Sequence, residues 1–119
     1  MSLGMPDAVT SVLATALDGL ANRQNVIADN IANVDTPGFR ATSVDFESSL
    51  TAALQRGEMS TSGVTPTERP SNAPVGENGN NVDLRQESLS ALQTQFQYQM
   101  MSRAVSDRFA LVSTAAGAF

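Results

Sequence analysis

The sequence predicts a mainly α protein: two long terminal helices packed as an antiparallel coiled-coil pair, with an irregular Pro/Ser/Gly/Asn-rich middle holding one short helix. Three observations predict it. Apolar residues near the N-terminus recur at spacings of four and three, a second long helical pattern runs toward the C-terminus, and the composition between them shifts to Ser, Thr, Gly, Asn and Pro. The expected organisation is a flexible leader over 1–7, one coiled-coil core domain from helices 8–34 and 84–115, and a middle region over 35–83 with a short helix at about 46–56.

The first helix is read from its seam. Asp7 is a candidate N-cap. From Ala8 onward Leu13, Leu17, Leu20, Ile27, Ile31 and Val34 fall on one line, with Gln24 in the single gap, which makes a heptad pattern. A core-facing bundle helix and a coiled coil fit this pattern equally. A polar Gln24 on the seam suits register-setting rather than maximal stability. Gly19, off the seam, costs about 1 kcal/mol relative to Ala, so it marks either a close neighbour or a tolerated weakness. Asn22, Arg23, Asn25, Asp29, Asn30 and Asn33 give the second half of the helix an amide-rich polar face. Such a face is either solvated or used to fix how neighbours dock.

The helix should stop near Val34 or Asp35. Pro37 disfavours the αR conformation at Thr36, and Pro37-Gly38 suits the centre of a type II turn with Gly38 at positive φ. Beyond it, Asp45-Phe46-Glu47 opens a short amphipathic segment in which Phe46, Leu50, Ala53 and Leu54 share a face, and Gly57 is its stop. Residues 58–81 read as an extended or mobile loop, with Pro66, Pro70 and Pro74 at four-residue intervals. Met59 to Thr65 is a candidate for a β-hairpin arm, and Asn78-Gly79-Asn80-Asn81 is a turn signal.

Asp83 or a neighbour caps the last helix. Leu89, Leu92, Phe96 and Met100 form one apolar stripe, while Met101, Val105, Phe109 and Val112 follow a stripe rotated around the axis. A stripe that changes face suits a helix meeting one partner early and others later, or an irregular bundle helix. Gln93, Gln95, Gln97 and Gln99 add a second amide-rich surface.

Composition narrows the function. The chain of 119 residues carries a net charge of −5, with seven basic residues and no basic cluster, so nothing marks a nucleic-acid or anionic-membrane surface. Histidine and cysteine are both absent, which removes the usual general base, the commonest zinc ligands and any thiolate or disulfide chemistry. The close acid pairs, Asp29 with Asp35 and Asp45 with Glu47, sit where capping and solvation account for them. Catalysis is therefore not expected, and no cofactor or small-molecule substrate is implied. No apolar run reaches the ~20 residues of a membrane span, and Met1–Thr10 lacks the features of a secretory signal. A two-helix hairpin also leaves each helix with one covered side, so neighbouring copies or partners are expected to complete the packing.

The string Asn30-Ile31-Ala32-Asn33, followed by Thr36-Pro37-Gly38-Phe39 and then Val44-Asp45-Phe46, resembles the N-terminal signature of the bacterial flagellar rod and hook axial proteins. Asn78 to Leu84, with Phe96-Gln97-Tyr98-Gln99, is similar to the C-terminal segment of the short proximal rod members of that family. The resemblance implies a structural role in the drive shaft of the flagellar basal body, a periplasmic location, and export through the flagellar type III apparatus without a cleaved signal peptide. It implies as partners other copies, other rod subunits, the basal adaptor, and the export gate and membrane ring. Leu13, Leu17, Leu20, Gln24, Ile27, Ile31, Val34, Leu92, Phe96, Met101, Val105 and Phe109 are then packing positions, and Asn30, Asn33, Thr36, Pro37, Gly38 and Phe39 the motif that shapes the bend. The competing readings are another rod or hook paralogue and a helical adaptor or secretion-chaperone-like module.

Overall fold

The computed structural model describes residues 4–57 and 64–117. Helix α1 spans Gly4–Ala32, strand β1 Thr42–Asp45, helix α2 Glu47–Gln55, strand β2 Thr67–Pro70 and helix α3 Leu84–Gly117. The molecule is mainly helical and elongated, 66 Å in its longest dimension. α1 begins at Gly4, so Asp7 lies within the first turn rather than at the boundary; those first residues precede the apolar seam, and periodicity cannot register them.

α1 ends at Ala32, two to three residues before the expected stop at Val34 or Asp35, because the last residues close as a tighter turn in which Val34 N–H donates to Ile31 O at 3.1 Å. Phe39 N–H donates to Thr36 O at 3.2 Å, and Gly38 takes φ +76°. Gly57 takes φ +74° just past α2, a left-handed stop after the Arg56 C-cap. α2 starts at Glu47 with Phe46 in the N-cap position, but the capping side chain is Asp45, whose carboxylate accepts from Ser48 N–H at 3.0 Å and Ser48 Oγ at 2.8 Å.

The middle is more regular than its composition suggests. β1 and β2 pair antiparallel, with Thr42 opposite Pro70 and Val44 opposite Glu68. Residues 67–70 are thus a strand, where a loop is expected from their composition; of the hairpin candidate over 59–65, residues 59–63 lie outside the described residues. Pro70 is tolerated because it stands at the end of an exposed edge strand, where its missing N–H breaks no interior ladder.

The core is small. Ala16 and Leu20 of α1 meet Val44 of β1 and Phe46, with Val26 and Met101 packed against them. Phe46 is its anchor, and it fits only because Gly19 has no side chain: a Cβ there would stand 2.3 Å from Phe46 Cγ. Arg23 stacks over the ring, 4.9 Å from its centre, donates to Val44 O at 2.8 Å and pairs with Glu47.

Candidate functional site

The family-like segment at the end of α1 and the segment before α3 interlock through asparagine side chains. Asn30 is fully buried; its Nδ2 donates to Thr42 O at 2.8 Å and Glu87 Oε1 at 3.1 Å, and its Oδ1 accepts from Thr42 N–H at 3.3 Å. One amide therefore ties α1 to the start of β1 and to the first turn of α3. Burial raises the Glu87 pKa above the ordinary glutamate value, and Asp83 adds to this, against the hydrogen bond from Asn30.

Asn80 closes the helix end. Its Nδ2 donates to Asn33 O at 2.8 Å and Thr36 O at 2.7 Å, satisfying carbonyls that a helix terminus and turn leave without partners. Its Oδ1 accepts from Val82 N–H at 2.7 Å. Asn81 Oδ1 accepts from Ala41 N–H at 2.6 Å, while Asn81 N–H donates to Phe39 O at 3.2 Å. Gly38 N–H donates to Asn78 O at 2.9 Å, and a Cβ on Gly79 would come 3.3 Å from Gly38 Cα. The two turns are thus packed backbone to backbone. Within the turn, Thr36 Oγ1 donates to Asn33 Oδ1 at 3.0 Å, and Asn33 Nδ2 donates to Asp29 O at 2.8 Å. Pro37 is exposed and Phe39 half-buried.

On the seam of α1, Leu20 and Ile27 are buried, whereas Leu13, Leu17, Gln24, Ile31 and Val34 are half-buried. Gln24 Nε2 donates to Ala91 O at 3.3 Å, and its Oε1 is buried with no partner among the described residues. Leu20 and Met101 share the core, and Val105 is half-buried on the same side of α3. Leu92, Phe96 and Phe109 are not brought to α1: they are 66%, 63% and 58% exposed. α3 instead turns Thr94, its one buried residue among those described, toward the groove that it forms with Leu20, Gln24 and Tyr98.

A cleft of about 470 Å³, of mixed polar and apolar character, lies between α1, the sheet and the start of α3, lined by Arg23, Ile27, Thr42, Val44, Asp83 and Glu87 among others. Among the described residues, no group of His, Cys, Asp and Glu could hold a metal ion, and no helix is long and apolar enough to cross a membrane. Burial pushes the Glu47 carboxyl up, but the hydrogen bond and charge of Arg23, together with backbone hydrogen bonds at Glu47 and Phe46, outweigh it and hold the carboxyl below the usual range. Hydrogen bonds from Ser48, helped by Arg69 at 3.1 Å, do the same for Asp45.

Three contributors escape sequence reasoning as parts of this arrangement. Asn80 and Asn81 sit in a string that signals only a turn, and Arg23 reads as one member of a solvated face. The one available signal is Gly19, whose helix-weakening presence marks the place where Phe46 docks.

Residues 11–40 match the family described as Flagella basal body rod protein. The chain is 38% identical to the Flagellar basal body rod protein FlgB of Escherichia coli, over 84% of this chain and 86% of that protein. It is 33% identical to the protein of the same name from Borreliella burgdorferi, over 72% and 78% of the two chains. The similarity to that of Bacillus subtilis is 31%, over 86% and 88%.

Proposed function

Because the chain belongs to the flagellar basal body rod protein family, as a structural subunit of the rod in the basal body, we propose that its two long helices act as an antiparallel coiled-coil pair whose outer surface is completed by neighbouring subunits. The observation that carries this reading is the exposure of Leu89, Leu92, Phe96 and Met100 along one face of α3, each more than half open to solvent. A contiguous apolar face of this kind marks an interaction surface. Asn30 bonding Glu87 and Gln24 bonding Ala91 support the antiparallel register, because residue numbers fall along α1 as they rise along α3.

In this reading Leu13, Leu17, Leu20, Gln24, Ile27, Ile31 and Val34 form the seam of α1, Met101 and Val105 meet it within the subunit, and Leu92, Phe96 and Phe109 meet neighbours. The motif from Asn30 to Phe39 sets the bend at which the middle region leaves the core. The subunit enters the rod after export through the flagellar type III apparatus without a cleaved signal peptide. It contacts other rod subunits, the basal adaptor and the export gate, and helps to transmit torque around the export channel. It performs no catalysis. The adaptor or chaperone-like alternative is not favoured.

The test joins cell biology to solution behaviour. A tagged chain should co-purify with basal bodies, and deletion should abolish rod formation and swimming. Purified, it should gain helix on association in sedimentation and far-UV circular dichroism. Absence from basal bodies, together with a discrete, fully helical dimer that survives dilution, would overturn the reading.

A further inference from the structure

The two long helices carry exposed faces of opposite character. On α3, Arg85, Leu89, Leu92, Phe96, Met100 and Arg103 follow one another at intervals of three and four and are all exposed, so four large apolar side chains are bracketed by two arginines. On α1, Ala14, Asp18, Ala21, Asn25 and Ala28 also recur at intervals of three and four and are all exposed, with Asp29 beside them. Ala14, Ala21 and Ala28 are seven residues apart, so this face offers a shallow channel of small side chains with carboxylates along it. Among the described residues, Asp18, Arg85 and Arg103 form no ion pair.

We infer that the α3 face of one copy docks on the α1 face of a second copy of this chain. The inference rests on the rod reading and adds which faces meet. Its occupant is fixed by complementarity within the chain itself: large apolar residues on one face meet small ones on the other, which lets two helices approach to within about 8–10 Å, and arginines meet aspartates. The two faces are different surfaces, one on α1 and one on α3, and the α1 face borders the groove between the two helices through Ala21 and Asn25. The contact is therefore heterologous, and it propagates from copy to copy, as a ring or an open array, rather than closing as a symmetric dimer.

The chain contains no cysteine, so introduced thiols report without background. Cells expressing Ala21→Cys with Phe96→Cys in one chain, as the only copy, are treated with a short bis-maleimide linker and their basal bodies isolated. The expected result is a ladder of linked dimers, trimers and higher species, with neither single variant linking to itself. Efficient self-linking of either single variant would mean that like faces meet. Linkage only to a protein of different mass would mean that another subunit covers the face. Unlinked chain within intact basal bodies would reject the face assignment while leaving the rod reading in place, whereas absence from basal bodies would remove both. A charge exchange guards against damage by the thiols. Reversing Asp18 and Asp29 to Arg, or Arg85 and Arg103 to Glu, should each lower linked yield roughly fivefold, and combining the two sets should restore it; failure of the combination to recover yield would overturn the pairing.

Discussion

Gly19→Ala is the most discriminating single change. In an exposed helix it would stabilise the protein by about 1 kcal/mol, because Ala is the better helix former. Here the added Cβ would lie 2.3 Å from Phe46 Cγ and 2.4 and 2.6 Å from the two Cδ atoms. The ring cannot swing clear without loss, since it is 4% exposed and held between Ala16, Leu20, Val44 and the Arg23 guanidinium. Expelling it forfeits about 1.5–3 kcal/mol of burial and about 0.5–1 kcal/mol of cation–π contact. Keeping it overpacks the core at a cost of about 1–3 kcal/mol. After the gain in helix propensity, the less costly of the two routes sets the net expectation, a destabilisation of up to about 2 kcal/mol. Urea unfolding followed by circular dichroism measures it, and the decisive comparison is the same change in a Phe46→Ala background. With the ring absent, Gly19→Ala should become neutral or stabilising, which gives a coupling energy of roughly 1–3 kcal/mol. A stabilised single variant, or effects that simply add, would refute the packing argument.

Asn80→Asp removes the donor shared by Asn33 O and Thr36 O and sets a carboxylate against two carbonyls, so it should cost at least about 2 kcal/mol and more than Asn80→Ala; wild-type hydrogen-exchange protection across the turn would contradict this. The folded-state pKa of Glu87 is raised mainly by burial, so its protonated form is the one the fold favours. Its contribution to stability is therefore full below its ordinary value of 4.5 and is lost as pH rises through the folded pKa. Glu87→Gln should accordingly raise the Tm at neutral pH and lose that advantage on acidification; a Tm difference independent of pH would sink the assignment. Gly38 has φ +76° and no atom within 4 Å of a built Cβ, so Gly38→Val strains the backbone without a clash. It should reduce rod assembly and swimming far more than expression, and normal swimming in cells carrying only that variant would count against the bend as a required feature.

What was legible in the sequence follows the reach of each physical signal. Leu20 and Ile27 lie on a heptad and are buried, and Pro37-Gly38 and Gly57 announce stops that the backbone makes. Those are local rules. β1 and β2 are not legible because neither strand carries an alternating apolar pattern: Val44 is the one buried residue of β1, and all four residues of β2 are exposed. Their pairing is held by Val44 against the core and by Asp45 with Arg69, contacts that only the tertiary fold creates. The face of α3 that meets α1 was also obscured. Leu92 and Phe96 carry the stronger apolar signal and point outward, while Thr94 and Met101 turn inward. Periodicity finds a helix's apolar face, but it does not say whether the same chain or another one covers it.

The same division explains why asparagine, rather than leucine, fastens this molecule. Among the described residues four buried ones make up the apolar cluster, too few to fix the relation of α1, the sheet and α3 by hydrophobic burial alone. An apolar contact tolerates sliding, whereas a buried amide left unpaired costs about 1–3 kcal/mol and so rejects neighbouring geometries. Asn30 makes hydrogen bonds from both ends of its amide, and Asn80 and Asn81 bind three elements of backbone between them. Specificity is thus concentrated at the bend, and apolar surface is left uncommitted along the outer face of α3. A subunit built this way defines its own shape at one end, and in the proposed reading association along the outer face of α3 adds to its stability. Its unfolding midpoint should accordingly rise with protein concentration.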